Sequence, residues 1–403
     1  MTRTTRPDLL RARGAHGHAP VTNVELFFDL VFVFAVTQLS HLLLKNLTLL
    51  GALHTALLFV AMWWVWIFTS WVTNWLDPER VPVRLLLLAL MLAGLVLSTS
   101  IPQAFGARAL PFALAYVSMQ VGRSLFVIWA LGTASPDNRR NFLRITAWLS
   151  VAGIFWIAGA LVQDGPRLAL WTIAIAIEFV SPTLGFWVPG LGRSTTSDWD
   201  VDGSHMAERC ALFIIIALGE SLLITGATLG DLAWNAPTLA AFAAAFVGSA
   251  AMWWIYFDTG AARGSRRIAS STDPGRLARL AYTYLHLPIV AGIIVAAVGD
   301  ELVLAHPSGH LEPGAAASLL GGPALFLLGT LSFKASISGR LPLSHLIGLG
   351  LLALIAPIAS HWTPLILSAA TTAVLLVVAI WETVSVRSGT IRPGQGMAGG
   401  NTD

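Results

Sequence analysis

Along the 403 residues, apolar runs of about twenty residues follow one another with only short polar breaks between them. A hydrocarbon core of ~30 Å is crossed by ~20 residues of α-helix. The runs are continuously apolar and do not alternate at every second position, so they predict helices and not barrel strands. Twelve are expected, at approximately 24–44, 53–75, 82–101, 110–132, 142–162, 168–189, 207–228, 237–257, 279–299, 316–334, 342–360 and 364–386. The expected fold class is therefore all-α: a polytopic helical membrane protein of about twelve transmembrane helices.

Composition agrees with a bilayer as solvent. The chain is 56% hydrophobic and 11% charged, with a mean hydropathy of +0.73, where soluble domains carry ~25% charge. The formal charge of +3 is carried by cations in short loops and not on one face, which argues against nucleic acid as a partner. The single Cys210 lies in an apolar run and has no second cysteine to pair with. The first twenty or so residues are polar and basic, and no small-residue cleavage site follows, so the first run is expected to be retained as a span.

Charge placement orients the bundle, because Lys and Arg concentrate in cytoplasmic loops. Of the 24 Lys and Arg, 20 fall on one side: Arg3, Arg6, Arg11, Arg13, Arg80, Arg84, Arg139, Arg140, Arg144, Arg193, Arg209, Arg263, Arg266, Arg267, Arg276, Arg279, Lys334, Arg340, Arg387 and Arg392. Lys45, Arg108 and Arg167 fall on the other, and Arg123 is inside a span. The expected location is the cell membrane, multi-pass, with both termini cytoplasmic.

Two halves echo each other. Ala61-Met62-Trp63-Trp64-Val65-Trp66 returns as Ala251-Met252-Trp253-Trp254-Ile255-Tyr256, each after a span that opens on a glutamate, Glu25 and Glu208. Leu92-Ala93-Gly94 matches Val290-Ala291-Gly292, and Pro111 and Pro323 are expected to open the fourth and tenth spans. This reads as two six-helix repeats in parallel orientation. Since six is even, they would be related by an axis along the membrane normal, with a site between them. The division is a basic tail over 1–23, a first repeat over 24–189, a linker over 190–206, a second repeat over 207–386 and a tail over 387–403.

Ionised groups in the hydrocarbon are expensive, ~2.5–3.5 kcal/mol on insertion scales, and are paired or functional. Glu25 and Asp29 share a helix face one turn from the cytoplasmic end; with Glu208 and Asp258 they form a cytoplasmic-end acidic motif. At ~1.5 Å per residue, Arg123, Glu178 and Glu220 fall near mid-depth, with Gln38, Tyr116, Gln120 and Ser221 close enough in depth to complete their hydrogen bonds. Two readings are open: a structural pair that specifies helix packing, or a substrate or proton site in which one of two acids is able to carry a proton. Trp63, Trp64, Trp66, Trp71, Trp253 and Trp254 read as packing and interface anchors and not as a ligand cage. Histidines are too scattered for metal-ligand spacing, and no phosphate loop, dinucleotide fingerprint or nucleophile elbow is present. No catalytic residue, metal or cofactor is assigned.

The stretch Val24-Glu25-Leu26-Phe27-Phe28-Asp29-Leu30-Val31-Phe32-Val33-Phe34-Ala35-Val36-Thr37-Gln38-Leu39 closely resembles the bacterial low temperature requirement A (LtrA) family. A second block, from His205-Met206-Ala207-Glu208-Arg209 through Ala217-Leu218-Gly219-Glu220-Ser221, looks like that family's other signature, and Tyr116 to Arg123 also fits. The resemblance implies a multi-pass membrane protein and does not imply a reaction. The first span is also similar, more distantly, to the opening of potassium channels with six-span repeats, but Phe28 stands where their serine would be. The leading expectation is a secondary transporter, possibly proton-coupled, for a small solute or ion. The alternatives are an ion channel lined by the first and seventh spans, and an intramembrane enzyme acting on a lipid or isoprenoid.

Overall fold

A computed structural model describes residues 9–11, 20–133, 135–194, 202–258 and 274–390. Arg3, Arg6, Arg13, Arg263, Arg266, Arg267 and Arg392, and the tail histidines His16 and His18, lie outside the described residues, as does the side chain of Arg387. The long helices are α1 (Asn23–Lys45), α2 (Leu49–Trp75), α3 (Val81–Ser100), α4 (Ala109–Leu131), α5 (Pro136–Leu161), α6 (Asp164–Val180), α7 (Gly203–Asp231), α8 (Ala236–Phe257), α9 (Gly275–Ala305), α10 (Pro313–Ser338), α11 (Leu343–His361) and α12 (Pro364–Thr390). Among the described residues there is no strand, only the isolated bridges Leu10 to Leu76 and Val188 to Gly192. Eleven of these helices are long and apolar enough to cross a bilayer. The protein is a multi-pass helical membrane protein.

The remaining helix, α6, has 17 residues. It starts earlier than the apolar run suggested and stops at Val180 instead of near 189. Pro182 has no N–H to carry the hydrogen-bond ladder on, and the chain then turns through Gly185 and Phe186 with φ of +62° and +48°. A Cβ on Gly185 would lie 2.4 Å from the Ser194 carbonyl, so this turn requires glycine. Even so, α6 runs the depth of the bundle. At one end the Arg167 guanidinium donates to Gly106 O, just ahead of α4, and at the other Arg144 near the start of α5 donates to Leu191 O. In α10 the helix opens at Pro313, and Pro323 lies inside it instead of opening it as the sequence suggested.

The neighbours repeat in both halves. α1 packs on α2 and α3, α3 on α4, α4 on α5, α5 on α6, and α2 on α6. In the same order α7 packs on α8 and α9, α9 on α10, α10 on α11, α11 on α12, and α8 on α12. The halves meet through α1 and α2 against α7 and α9. The pair α9 and α10 crosses at very close range. Gly292 and Gly299 of α9 meet Phe326 and Leu319 of α10, Gly322 and Gly329 of α10 meet Ala296 and Ile289 of α9, and a Cβ on Gly322 would lie 2.5 Å from the Ala296 nitrogen. Small residues permit such backbone approach, which in lipid is where packing energy is gained.

α1 meets α7 through charge. Thr22 and Glu25 form a capping box at the start of α1, and Arg11 donates to Glu25 Oε2 at 2.9 Å. His205 Nε2 lies 2.9 Å from Glu25 Oε1, and Arg209 Nη2 donates to Asp29 Oδ1 at 2.7 Å; both pairs are 180 residues apart in the chain. A pair of acids four apart on α1 thus meets a His and an Arg four apart on α7, with all four side chains fully buried. Trp66 Nε1 donates to Asp29 Oδ1 at 2.7 Å, and Asn74 Nδ2 stands 3.3 Å from His205 Nδ1. The neutral Nε2–H tautomer of His205 satisfies both of its contacts. Because the starts of α1 and α7 touch, the six helices from α1 to α6 return the chain to the end where it began.

Four substitutions and one double variant test this packing. Gly322→Leu drives a side chain into the α9 backbone and is expected to destabilise by roughly 1–3 kcal/mol, whereas Gly321→Ala, with no atom within 4 Å of its Cβ position, leaves the unfolding temperature in detergent unchanged. Asp29→Asn and Arg209→Gln are each expected to cost roughly 3–5 kcal/mol by leaving one buried charge behind. The double variant should lose clearly less than their sum; strict additivity in thermal unfolding would show that the two charges are not coupled.

A candidate site at Arg123

On α4, Tyr116, Gln120 and Arg123 are spaced by four and three and lie on one face. That face looks toward α2, α5 and α6. The Glu178 carboxylate of α6 accepts three hydrogen bonds: from Tyr116 Oη at 2.5 Å, from Gln120 Nε2 at 3.1 Å and from Trp156 Nε1 at 3.0 Å. Arg123 Nη1 donates to Thr69 Oγ1 at 2.8 Å and to Val65 O at 3.2 Å, and its Nη2 donates to Gln120 Oε1. Gln120 therefore stands between the cation and the anion, using both ends of its amide. No carboxylate among the described residues lies within 4.0 Å of the Arg123 guanidinium. Arg123 is 1% exposed and its Nε has no hydrogen-bond partner.

The guanidinium forms part of the wall of a cleft holding about 670 Å³ of space free of protein atoms, its mouth included. Its walls come from both halves: Phe68, Trp71 and Trp75 of α2, Phe142 of α5 and the turn after α6 on one side, and Gly275, Arg279 and Thr283 of α9 on the other. The α9 wall is wound as a π-helix over Arg279–Tyr284. In that winding the Thr283 carbonyl would be paired with the N–H five residues on, but residue 288 is proline and has none. The indoles of α2 take over: Trp63 Nε1 donates to Thr283 O at 2.8 Å and Trp71 Nε1 to Thr283 Oγ1 at 2.9 Å. Arg279 Nη1 donates to Pro182 O at 2.8 Å, which ties the same wall to the turn after α6.

Of the expected mid-depth residues, the structure brings together Arg123, Gln120, Tyr116 and Glu178. Glu220 lies elsewhere, on the seam between α7 and α1, where Thr37 Oγ1 donates to its carboxylate. Gln38 is half-buried on α1, and Ser221 is buried on α7 with its Oγ unpartnered. The acidic motif also divides. Glu25 and Asp29 belong to the α1–α7 contact, Glu208 accepts from Val21 N at 3.3 Å, and Asp258 ends α8 and accepts from Thr383 Oγ1 at 3.3 Å. The space between α1 and α7 where a pore was envisaged holds the buried pairs Glu25–His205 and Asp29–Arg209 at one end. Trp63, Trp64 and Trp66 are fully buried, while Trp253 and Trp254 are 45% and 44% exposed on the outside, so neither set forms a cage.

Arg209 and Lys334, counted among loop cations from the sequence, are inside helices. Lys334 of α10 donates to Ile255 O of α8 at 2.8 Å and pairs with Glu382 of α12. The signal for Arg209 was present as the matched spacing of Glu25 and Asp29 against His205 and Arg209. For Lys334 it was the alignment of Val65 with Ile255.

The family model described as bacterial low temperature requirement A protein matches residues 20–380. The chain is also 44% identical over 365 residues to an uncharacterised protein of Rhizobium meliloti (strain 1021), an alignment that covers 90% of this chain and 89% of that one. No solved structure matches the chain. The family match spans every helix that builds the Arg123 cleft, and the chain belongs to the bacterial low temperature requirement A family.

Proposed function

We propose that this protein is a proton-coupled secondary transporter, built from two repeats of six spanning helices with both termini cytoplasmic, and that the Arg123 cleft between the repeats is its substrate site. One observation carries the reading. In the first half a cation on the fourth helix donates to the carbonyl of Val65 on the second and reaches an acid on the sixth. In the second half Lys334 on the tenth helix donates to Ile255 on the eighth and meets Glu382 on the twelfth. Val65 and Ile255 are equivalent positions of the echoed sextet.

The comparison separates structure from function. The second half holds the version that locks three helices together, a direct Lys–Glu pair. The first half keeps the same three helices but inserts Gln120 between cation and acid, which leaves one edge of the guanidinium unpaired beside a cleft. A buried charge kept unneutralised at a cavity is the arrangement expected where a ligand completes the pairing. Glu178, one side chain removed, and Glu220, on the α1–α7 seam, are the carboxylates through which substrate binding would be coupled to a proton.

Proteoliposomes holding a trapped pH dye, given an imposed pH gradient and a panel of organic acids, amines and inorganic ions, test the reading. At least one solute class should move protons, and Arg123→Gln, Glu178→Gln and Glu220→Gln should each lower that flux at least tenfold. Wild-type flux in all three variants would remove the site from the transport path, and silence across the panel would remove transport. Topology is open to a separate check, since the native Cys210 is buried. A cysteine placed at the exposed Arg140 should react with an impermeant maleimide only in inverted vesicles, and one at the exposed Ala107 only in right-side-out cells.

A further inference from the structure

We infer that the Arg123 cleft takes an amphiphilic organic anion, its carboxylate or phosphate head between Arg123 and Arg279 and its apolar part along the aromatic wall. The inference deepens the reading of this cleft as the substrate site and rests on it. Two cations line the cleft, among the described residues no Asp or Glu does, and the polar remainder is the hydroxyls of Ser124 and Thr283. Neither arginine has a carboxylate within 4.0 Å among the described residues. Arg123 is buried with Nε unpartnered, and Arg279 across the cleft donates to the Pro182 carbonyl.

A cation buried beside apolar rings favours a charged partner over water. An isolated ion in such surroundings is poorly solvated, and a planar guanidinium matches the two oxygens of a carboxylate or phosphate. An inorganic anion would satisfy the arginines but leave the rest of the cleft without a matching surface. The walls are Phe68, Trp71, Trp75, Phe142, Ile145 and Phe186, apart from Val72 and Pro182. Their rings and aliphatic groups suit an aromatic or alkyl body of a size the cleft can hold. A cationic or neutral amphiphile would fit the walls and meet the arginines unfavourably or not at all. Charge thus selects within the apolar class.

The test uses the full chain in phosphatidylcholine nanodiscs and isothermal titration, with empty nanodiscs subtracted. The probes are 4-butylbenzoate, 4-butylbenzyl alcohol and 4-butylbenzylammonium, alike in body and different in charge. The benzoate should bind at least tenfold tighter than the alcohol, and the ammonium more weakly still. Arg279→Gln, near the mouth, should weaken the benzoate several-fold without changing the alcohol, and Arg123→Gln should erase the preference. Equal binding of acid and alcohol by the wild-type protein, which needs no variant to fold, would overturn the inference, as would wild-type benzoate affinity in both variants. Replacing the phosphatidylcholine by phosphatidylglycerol distinguishes the source of the anion: competition with the benzoate identifies a lipid head and tail, and its absence a soluble amphiphile. Selective binding with no solute-dependent flux sinks the transporter reading and leaves the anion site standing; flux indifferent to solute charge does the reverse.

Discussion

Without water in the hydrocarbon, a charge on a helix has to find its partner on another helix, and this constraint sets the arrangement of the bundle. At one end Glu25 of α1 pairs with Arg11 and accepts from His205 of α7, and Asp29 of α1 is neutralised by Arg209 of α7, with Trp66, Ser70 and Asn74 of α2 filling in around them. Because the acids and the bases have the same four-residue spacing, only one register and one relative direction of α1 and α7 satisfies both pairs. A slip by one turn would leave one acid and one base unpaired in an apolar environment. The parallel association of the two halves follows from that match. Their apolar surfaces, all similar to one another and to lipid tails, could not have specified it.

Most of the fold was legible because hydropathy along the chain is what places a helix in a bilayer. The apolar runs mark the long helices, eleven of which are long and apolar enough to cross a bilayer, and the boundary errors, at α6 and α10, are where proline and glycine act on the backbone locally. The site was half legible. Depth follows from counting residues at ~1.5 Å each, and Arg123, Glu178 and Glu220 do share a depth by that count. Counting gives one coordinate only. The azimuth of Glu220 on α7 turns it to Thr37 of α1, whereas Tyr116, Gln120 and Arg123 were correctly grouped because spacing on a single helix fixes azimuth as well. Arg209 and Lys334 were misread for a related reason: a cation a turn or two inside a helix end looks like a loop cation until the opposing helix is known.

The two cation–carbonyl–acid arrangements hold three helices together in different ways. Lys334 with Glu382 closes its contact directly, with side-chain exposures of 11% and 10%. Arg123 has a longer, planar head with five donors, enough to hold Val65, Thr69 and Gln120 and still leave Nε over. Gln120 can pass the electrostatic link to Glu178 because an amide presents a donor and an acceptor together. The helices are held at the same places in both halves, while in the first half the guanidinium is released from direct charge pairing. Lysine in that position, with a point charge and no fork, could not do both.

The shape of the cleft is a joint product of the halves. Its α9 wall is a π-helical turn, a winding that sequences rarely sustain and that is common near functional sites. Here it coincides with a proline at 288, which removes the donor the Thr283 carbonyl would have used; Trp63 of α2 supplies a replacement to that carbonyl and Trp71 donates to the Thr283 hydroxyl. Arg279, one turn earlier, is held by the Pro182 carbonyl after α6. Any change in how α2 and α6 sit against α9 must therefore disturb the Trp63 bond to the Thr283 carbonyl and the Trp71 bond to its hydroxyl, and reposition Arg279 relative to Arg123. Access to the cleft and the separation of its two cations are set by the same contacts, so the cleft cannot change its opening without changing the spacing of Arg123 and Arg279.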